Sequence, residues 1–234
     1  PQFGVLPIIL GTLMVSFAAI AIALPFVLAA AVFLSEIADK RLYKLLQPAI
    51  ELLSGIPSVV YGFFGLIVVV PIVQKTFCLD VGETALSGAI ILAIMALPTI
   101  ITIAEDAMRA TPNTLREASL ALGANKWQTI YKVVIPHAKS GITAGVVLGI
   151  GRAMGETMAV LMVCGNAAVI PHTLLEPIRT IPATIAAELG EAPQGEAHYS
   201  ALFMLACILF LLTLLINLLV EYISKRKNLK TKKI

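Results

Sequence analysis

The sequence is poor in charged residues. Only 13% of its 234 residues are Asp, Glu, Lys or Arg, while 59% are hydrophobic and the mean hydropathy is +0.93. A soluble domain carries about 25% charged residues. The composition therefore excludes a domain whose surface faces water, and we expect lipid to cover most of this chain.

Cysteines and nucleotide-binding motifs are scarce too. The three cysteines, Cys78, Cys164 and Cys207, show neither CxxC spacing nor histidine partners at metal-site intervals. Cys78 and Cys164 both fall near the outer face, where a disulfide could join them. The sequence has no GxxxxGK[ST] phosphate loop. We therefore predict no bound metal or cofactor, no nucleic-acid partner, and no ATP hydrolysis by this chain.

Long apolar runs are what the sequence has instead. A run of ~20 apolar residues can cross the hydrocarbon core as a helix, and these runs lack the alternation of barrel strands. The prediction is an all-α polytopic membrane protein with five spans in one domain, residues 1–234. The predicted spans are Ile8–Leu34, Ile56–Val73, Leu86–Ala104, Gly141–Cys164 and Ala201–Val220.

The placement of Lys and Arg predicts the orientation of the spans. Cytoplasmic loops accumulate these residues, and of the 17 in the chain only Lys75 and Arg179 are assigned to the outside. The basic tail, residues 224–234, is then cytoplasmic and meets anionic lipid headgroups. Five spans with a cytoplasmic tail place Pro1 outside, so we expect an additional span upstream and six helices in the full chain.

Two segments interrupt the pattern of simple spans. Apolar residues begin near Leu45 and are interrupted at Ser54–Pro57, where proline suits the first turn of a new helix. This predicts a broken helix, or one that restarts inside the membrane. The external segment Gly165–Tyr199 contains an apolar stretch, Ile178–Leu189, that is too short to span. It predicts a helix that lies at the surface or folds back into the protein.

The cytoplasmic loop of residues 105–140 contains signals for two short helices. Thr111-Pro112 is typical of an N-cap followed by proline, and Thr114–Glu117 fits a capping box. Gly123 can take the left-handed conformation that ends a helix. Asn125 can then cap a second helix that leads towards the fourth span.

The same loop resembles a known motif. The run Glu117-Ala-Ser-Leu-Ala-Leu-Gly123, then nine residues, then Val133-Val-Ile-Pro136, resembles the EAA loop of ABC importer permeases, with conservative departures at Ser119, Val133 and Ile135. The resemblance implies the transmembrane domain of a type I ABC importer, whose loop docks on a separate ATPase that uses the ATP. The docking residues it implies are Leu115, Glu117, Ala118, Ser119, Leu120, Gly123 and Pro136.

A charged pair lies in the predicted fourth span. Arg152 falls near its midpoint, where a charge costs at least ~2.5–3.5 kcal/mol, and Glu156 follows at i+4 on the same helix face. Glycines at Gly141, Gly145 and Gly149 overlap that face and are typical of helix contacts. Either the two charges form a structural salt bridge, or Arg152 contacts an anionic substrate. Glu156 would then accept a hydrogen bond from protonated phosphate, which sulfate cannot donate.

Two segments resemble the phosphate ABC permeases, namely Ser54–Gly65 and, for the PstC type, Arg152–Val160. The resemblance covers essentially the whole chain. It implies a permease subunit in the prokaryotic plasma membrane that imports inorganic phosphate by alternating access. Its implied partners are a PstA-type permease, two PstB-type ATPases and an extracytoplasmic phosphate-binding protein. The candidate substrate-pathway residues are Ser58, Arg152, Glu156 and Thr157.

Other functions remain as alternatives. A permease for sulfate or molybdate would share the loop, whereas an ATP-independent channel or secondary transporter would not need it. A membrane-embedded enzyme would need a cluster of His, Asp or Cys at membrane depth. His172 and Glu176 have ligand-like spacing but no third ligand nearby.

Overall fold

The structure, a computed structural model, describes residues 4–231, with side chains as far as Tyr222. Its helices are α1 (Leu6–Val32), α2 (Lys40–Ser54), α3 (Ser58–Phe64), α4 (Val70–Phe77), α5 (Ala85–Arg109), α6 (Asn113–Ala121), α7 (Lys126–Thr129), α8 (Ile135–Gly155), α9 (Met158–Val163), α10 (Ile181–Glu188) and α11 (Ala197–Thr231). Three π-helical segments, Phe33–Ile37, Gly65–Val69 and Ile130–Val134, continue α1, α3 and α7. Extended pairing in the described range is limited to one isolated bridge, Gly165 with Ile178.

Five helical stretches in the described range are long and apolar enough to cross a membrane. They are Leu6–Ile37, Ser58–Phe77, Ala85–Arg109, Lys126–Gly155 and Ala197–Tyr222. The predicted five-span, all-α fold is confirmed.

The bounds predicted for the fourth span, Gly141–Cys164, are wrong at both ends. The helical stretch begins at Lys126 and continues through the π-helical segment Ile130–Val134 without a break. In this segment the amide of Ile135 donates to the carbonyl of Ile130, five residues back. A wider turn of this kind accommodates Pro136, which has no amide hydrogen to donate. At the other end the helix stops at Gly155, where the backbone leaves the helical conformation.

The predicted break in the second apolar segment is confirmed. α2 ends at Ser54, and α3 begins at Ser58 directly after Pro57, whose backbone is extended. α2 has no buried residue, and Leu45 and Leu52 are among its exposed apolar side chains.

Internal contacts divide the chain into two compact units. One comprises residues up to Ile22 with Ile56–Ala96 and Ile150–Asn217, and the other comprises Ala23–Gly55, Leu97–Gly149 and the residues from Leu218 on. Compactness does not define function, so a single permease domain over residues 1–234 stays a prediction.

In the first unit, helix α10, which lies in the segment predicted to be external, is folded back into the protein. Ile178, Ile181 and Ala183 are buried. The amide of Ile181 donates to Thr12 Oγ1 at 3.0 Å, and that hydroxyl donates to the carbonyl of Ile8 at 2.7 Å. Of the two predicted placements for this segment, burial in the protein is therefore the one observed.

In the second unit, α8 packs closely on α5 through glycine. A Cβ added at Gly141 would lie 2.3 Å from the Cβ of Ala107, and one added at Gly145 would lie 3.3 Å from that of Ile103. A contact this close needs glycine at position 141. The predicted helix contact is confirmed at these two glycines.

Candidate functional site

The loop between α5 and α8 presents an exposed helix, α6. Leu115 and Leu120 are exposed on it, and Leu122 just beyond its end is 89% exposed. Trp127, at the start of the loop's second helix, is exposed as well. Clustered exposed apolar side chains next to polar ones indicate a surface for a protein partner.

The start of α6 differs from its prediction. Pro112 precedes the helix with extended backbone, and no side chain caps the first turn. The predicted capping box over Thr114–Glu117 is wrong, because Thr114 already lies inside the helix. The guanidinium of Arg116 fastens this turn instead, since it donates to the carbonyl of Thr111 and to Asn113 Oδ1 at 3.2 Å.

The turn between α6 and α7 follows its prediction. Gly123 has φ +84°, and a Cβ added there would meet nothing within 4 Å. The constraint on this position is therefore the left-handed backbone and not space. Asn125 caps α7 by accepting from the amide of Gln128 at 2.8 Å, and the Gln128 side chain accepts from the amide of Asn125 at 2.9 Å.

Ser119 is the predicted docking residue that turns inward. Its hydroxyl lies 2.9 Å from Thr129 Oγ1, and Thr129 is buried, so this contact joins α6 to α7. The others are exposed: Leu115, Glu117, Ala118, Leu120, Gly123 and Pro136.

The charged pair lies at a helix break. Arg152 is in the last turn of α8, which ends at Gly155, and Glu156 follows outside the helix. The carboxylate of Glu156 accepts from the amides of Thr157 at 3.2 Å and Ala159 at 3.5 Å. The prediction that both charges share one face of a continuous helix, with Arg152 at its midpoint, is therefore wrong.

The physical reason for the break lies in the amino end of α9. The first amides of a helix have no partner within that helix. The Glu156 carboxylate serves two of them, and the Thr157 hydroxyl donates to the carbonyl of Gly155 at 3.3 Å. A side chain thus replaces the backbone bonds that a continuous helix would make here.

Two short helices pack in parallel beside this break. A Cβ added at Gly62 of α3 would lie 3.0 Å from the Cα of Ala159 in α9, and one at Gly65 would lie 2.8 Å from Val163 Cγ1. Residue numbers rise together along this contact, so α3 and α9 run in the same direction. Their amino ends lie at the same end of the pair, where Ser58 is the first residue of α3.

The four predicted pathway residues gather around this end of the helix pair. Ser58 begins α3, while Glu156 and Thr157 directly precede α9. The charge of Arg152 interacts with the buried Tyr61 of α3. All four pathway residues are half-buried. Two amides at the start of α9 already donate to the Glu156 carboxylate, so the site combines the Arg152 guanidinium with one carboxylate acceptor.

A cavity of about 490 Å³ adjoins the break. Gly155 and Thr157 line one side of it, and Pro182, Ile185 and Leu189 from the region of α10 line another. The folded-back helix α10 therefore forms part of the wall opposite Thr157.

The sequence did not lead us to predict one buried carboxylate, that of Glu105. Glu105 is 3% exposed and forms an ion pair with Arg109, four residues later on α5. Arg109 also donates to the carbonyl of Leu34 at 3.3 Å and lies 3.7 Å above the ring centre of Tyr43. The i, i+4 spacing was the available signal, but the predicted span ended before Glu105 and left it in the loop.

Asn217 is another polar residue that the sequence reasoning missed. A Cβ added at Gly151 would lie 3.8 Å from its Nδ2 atom. Asn217 is the single asparagine in the apolar run of residues 201–220, and that was the signal for it.

The remaining candidates have ordinary surroundings. His172 donates its backbone amide to Glu176 Oε2 at 2.8 Å, and this hydrogen bond lowers the pKa of that carboxyl. Cys78 and Cys164 are both free, so the conceivable disulfide is not formed. In the described part of the chain, no group of three His, Cys, Asp or Glu residues is placed to hold a metal ion.

Known proteins resemble the chain over nearly its whole length. A family described as "Binding-protein-dependent transport system inner membrane component" matches residues 21–229. "Probable ABC transporter permease protein YqgH" of Bacillus subtilis is 43% identical, over 97% of this chain and 74% of that protein. "Phosphate transport system permease protein PstC" of Mesorhizobium japonicum is 40% identical, over 98% of this chain and 76% of that protein. The predicted resemblance to PstC-type permeases is confirmed.

Solved structures share the fold at low sequence identity. The MetNI methionine ABC transporter in an inward-facing conformation superposes with a TM-score of 0.68 at 21% identity, covering 95% of this chain and 94% of that one. A bacterial ABC transporter that imports alginate superposes with a TM-score of 0.68 at 19% identity, covering 94% and 79%. Such identities bear on the fold alone, and they confirm the predicted type I importer transmembrane domain.

Proposed function

Because the chain belongs to the family of binding-protein-dependent transport system inner membrane components, we propose that it carries inorganic phosphate into the cell. It is a multi-pass inner-membrane permease subunit of an ABC importer, a non-catalytic role. The observation that carries the phosphate proposal is the 40% identity, over 98% of the chain, to a protein described as a phosphate permease.

The chemistry around the helix break supports an anionic cargo. The planar guanidinium of Arg152 can hold two phosphate oxygens at once. Glu156 can accept a hydrogen bond from the protonated oxygen that phosphate keeps near neutral pH, and this would disfavour sulfate.

The remaining roles belong to partner subunits. We expect α6 to dock on one of two PstB-type ATPases, which use the ATP, and a PstA-type permease to complete the pathway for alternating access. An external phosphate-binding protein would deliver the cargo. The exposed leucines of α6 support the docking role. This assignment places the loop and the C-terminus in the cytoplasm; the side chains of the basic tail, residues 224–234, lie outside the described residues.

Uptake by the reconstituted complex tests the cargo. The chain is incorporated into vesicles with its partner subunits, and radiolabelled phosphate uptake is measured with and without internal ATP. We expect ATP-dependent uptake that excess unlabelled phosphate suppresses and excess sulfate or molybdate does not. Equal competition by either oxyanion would contradict phosphate selectivity, and uptake without ATP would favour a channel or a secondary transporter.

A further inference from the structure

Arg116 joins three parts of the second unit at one point. Its guanidinium forms an ion pair with Glu36 in the π-helical segment Phe33–Ile37 at 2.7 Å. It donates to the carbonyl of Met108 near the end of α5 at 2.9 Å, and to that of Thr111 just beyond. The residue itself sits on α6, the helix proposed to meet the ATPase.

This ion pair is largely withdrawn from water. The side chain of Arg116 is 18% exposed and that of Glu36 is 10% exposed. The attraction between two opposite charges is stronger where little water surrounds them than at a water-exposed surface. The carbonyls near the end of α5 lack partners within that helix, and a cation is favoured there. All of these contacts hold the guanidinium in one geometry.

A second arginine holds the same π-helical segment from α5. Arg109 donates to the carbonyl of Leu34 at 3.3 Å and lies above Tyr43 of α2. The hydroxyl of Ser35 lies 3.6 Å from the sulfur of Met108. The cytoplasmic ends of α1 and α5 are thus tied to each other, and Arg116 ties α6 to both.

From these contacts we propose that Arg116, with Glu36, is the positioning residue that transmits movement of α6 to the ends of α1 and α5. The inference rests on the proposed function, since the ATPase supplies the movement. The docking leucines meet the partner on the outer side of α6, whereas Arg116 holds its inner side. Weakening the ion pair should leave the ATPase bound and active but lower the amount of phosphate carried per ATP hydrolysed.

The test compares Arg116→Lys, Glu36→Gln and the double variant, with Lys44→Gln as a control on the exposed surface of α2. The complete complex in vesicles is assayed for bound ATPase, ATP hydrolysis and radiolabelled phosphate uptake. We expect wild-type ATPase content in every variant and a fall of roughly tenfold in phosphate carried per ATP for each single change. The double variant should resemble either single one, because the two residues share one interaction. The control should match wild type.

Two results would overturn the role of Arg116. One is an unchanged ratio of phosphate to ATP, and the other is loss of bound ATPase with hydrolysis and uptake falling in step. Absence of ATP-dependent phosphate uptake by the wild-type complex would instead refute the proposed function.

A distance measurement separates the two proposals because it does not depend on the cargo. Spin labels are attached at Ala121→Cys and Ile37→Cys after removal of the native cysteines. In the wild type, their separation should stay within about 2 Å when ATP binds. Glu36→Gln should allow a larger change, and equal distances in both proteins would contradict the inference.

Discussion

The loop between α5 and α8 and the helix break at Glu156 use polar side chains in different ways. In the loop, polar groups such as Ser119 and Asn125 bond within the loop, and apolar side chains face outwards. At the break, the polar groups are half-buried, and Thr157 lines a cavity together with apolar side chains. The first arrangement suits a protein partner with a complementary surface, and the second suits a small polar cargo that must leave water.

The two regions also differ in what positions them. Glycine and a local cap shape the loop turn, and both can be read from adjacent residues. The break depends on the carboxylate of Glu156 and on close packing between α3 and α9, which are distant in sequence. We therefore expect substitutions in the loop to affect coupling, and substitutions at the break to affect the cargo.

We expect the largest effect from a substitution of Arg152, which should affect transport of the cargo but not coupling to the ATPase. Arg152→Gln should lower phosphate uptake by roughly 100-fold, because the half-buried cation proposed to meet the anionic cargo is lost. Assembly with the ATPase should survive, since the loop is untouched. Uptake and ATPase content of purified vesicles are the measurements. Arg152→Lys is the control that keeps the charge without the planar fork and should retain part of the uptake. Normal uptake by Arg152→Gln would leave Arg152 with a structural role only.

The second effect belongs to the loop. Gly123→Val should uncouple ATP hydrolysis from transport and reduce uptake by roughly tenfold, because a β-branched residue is strained at φ +84°. Gly123→Asn is the matched control, since asparagine tolerates the left-handed conformation. The measurement is ATP hydrolysis with and without the loaded binding protein. Unchanged stimulation in Gly123→Val would count against a docking role for this turn.

A smaller effect concerns the helix break itself. Glu156→Ala should remove the acceptor for two amides of α9 and lower stability by about 1 kcal/mol, as loss of a cap does. For a chain of this size, that corresponds to a melting temperature about 2–4 °C lower in detergent. Glu156→Gln keeps an acceptor oxygen and should melt close to wild type. Equal melting temperatures for wild type and Glu156→Ala would show that the carboxylate does not hold the break.

We expect the smallest effect from a substitution of Ser119, which tests which side of α6 forms the docking surface. Ser119→Ala removes one hydrogen bond to Thr129 and should cost about 1 kcal/mol of loop stability. ATPase binding should change little, because Ser119 faces the loop's second helix. Leu120→Ala, on the exposed side, should weaken binding more. Affinity for the purified ATPase is the measurement, and a larger loss from Ser119→Ala would reverse the assigned faces.

Features governed by neighbouring residues were predictable from the sequence. The five spans, the glycine turn at Gly123 and the cap at Asn125 are of this kind. The capping box at Thr114 failed because Arg116, held by distant Glu36, fixes that turn instead.

The residues of the candidate site stay a prediction, and the break in the helix that carries them was not predicted. Periodicity treats an apolar stretch as one helix, so it carried the fourth span through Glu156. The break needs a carboxylate that reaches back to the amides of the next helix, and apolar periodicity does not contain that signal. Charge in an apolar segment was nevertheless enough to single out Arg152, as the cost of burying it suggests.

The π-helical turn ahead of Pro136 has a mechanical consequence. It lets one uninterrupted helix run from Lys126 in the loop to Gly155, next to Arg152. At 1.5 Å per residue, its 30 residues form a rod about 45 Å long. A tilt of about 5° at its base would carry the far end sideways by about 4 Å, more than the radius of a water molecule. A small rotation at the Lys126 end therefore displaces the Gly155 end several times further than residues near the base.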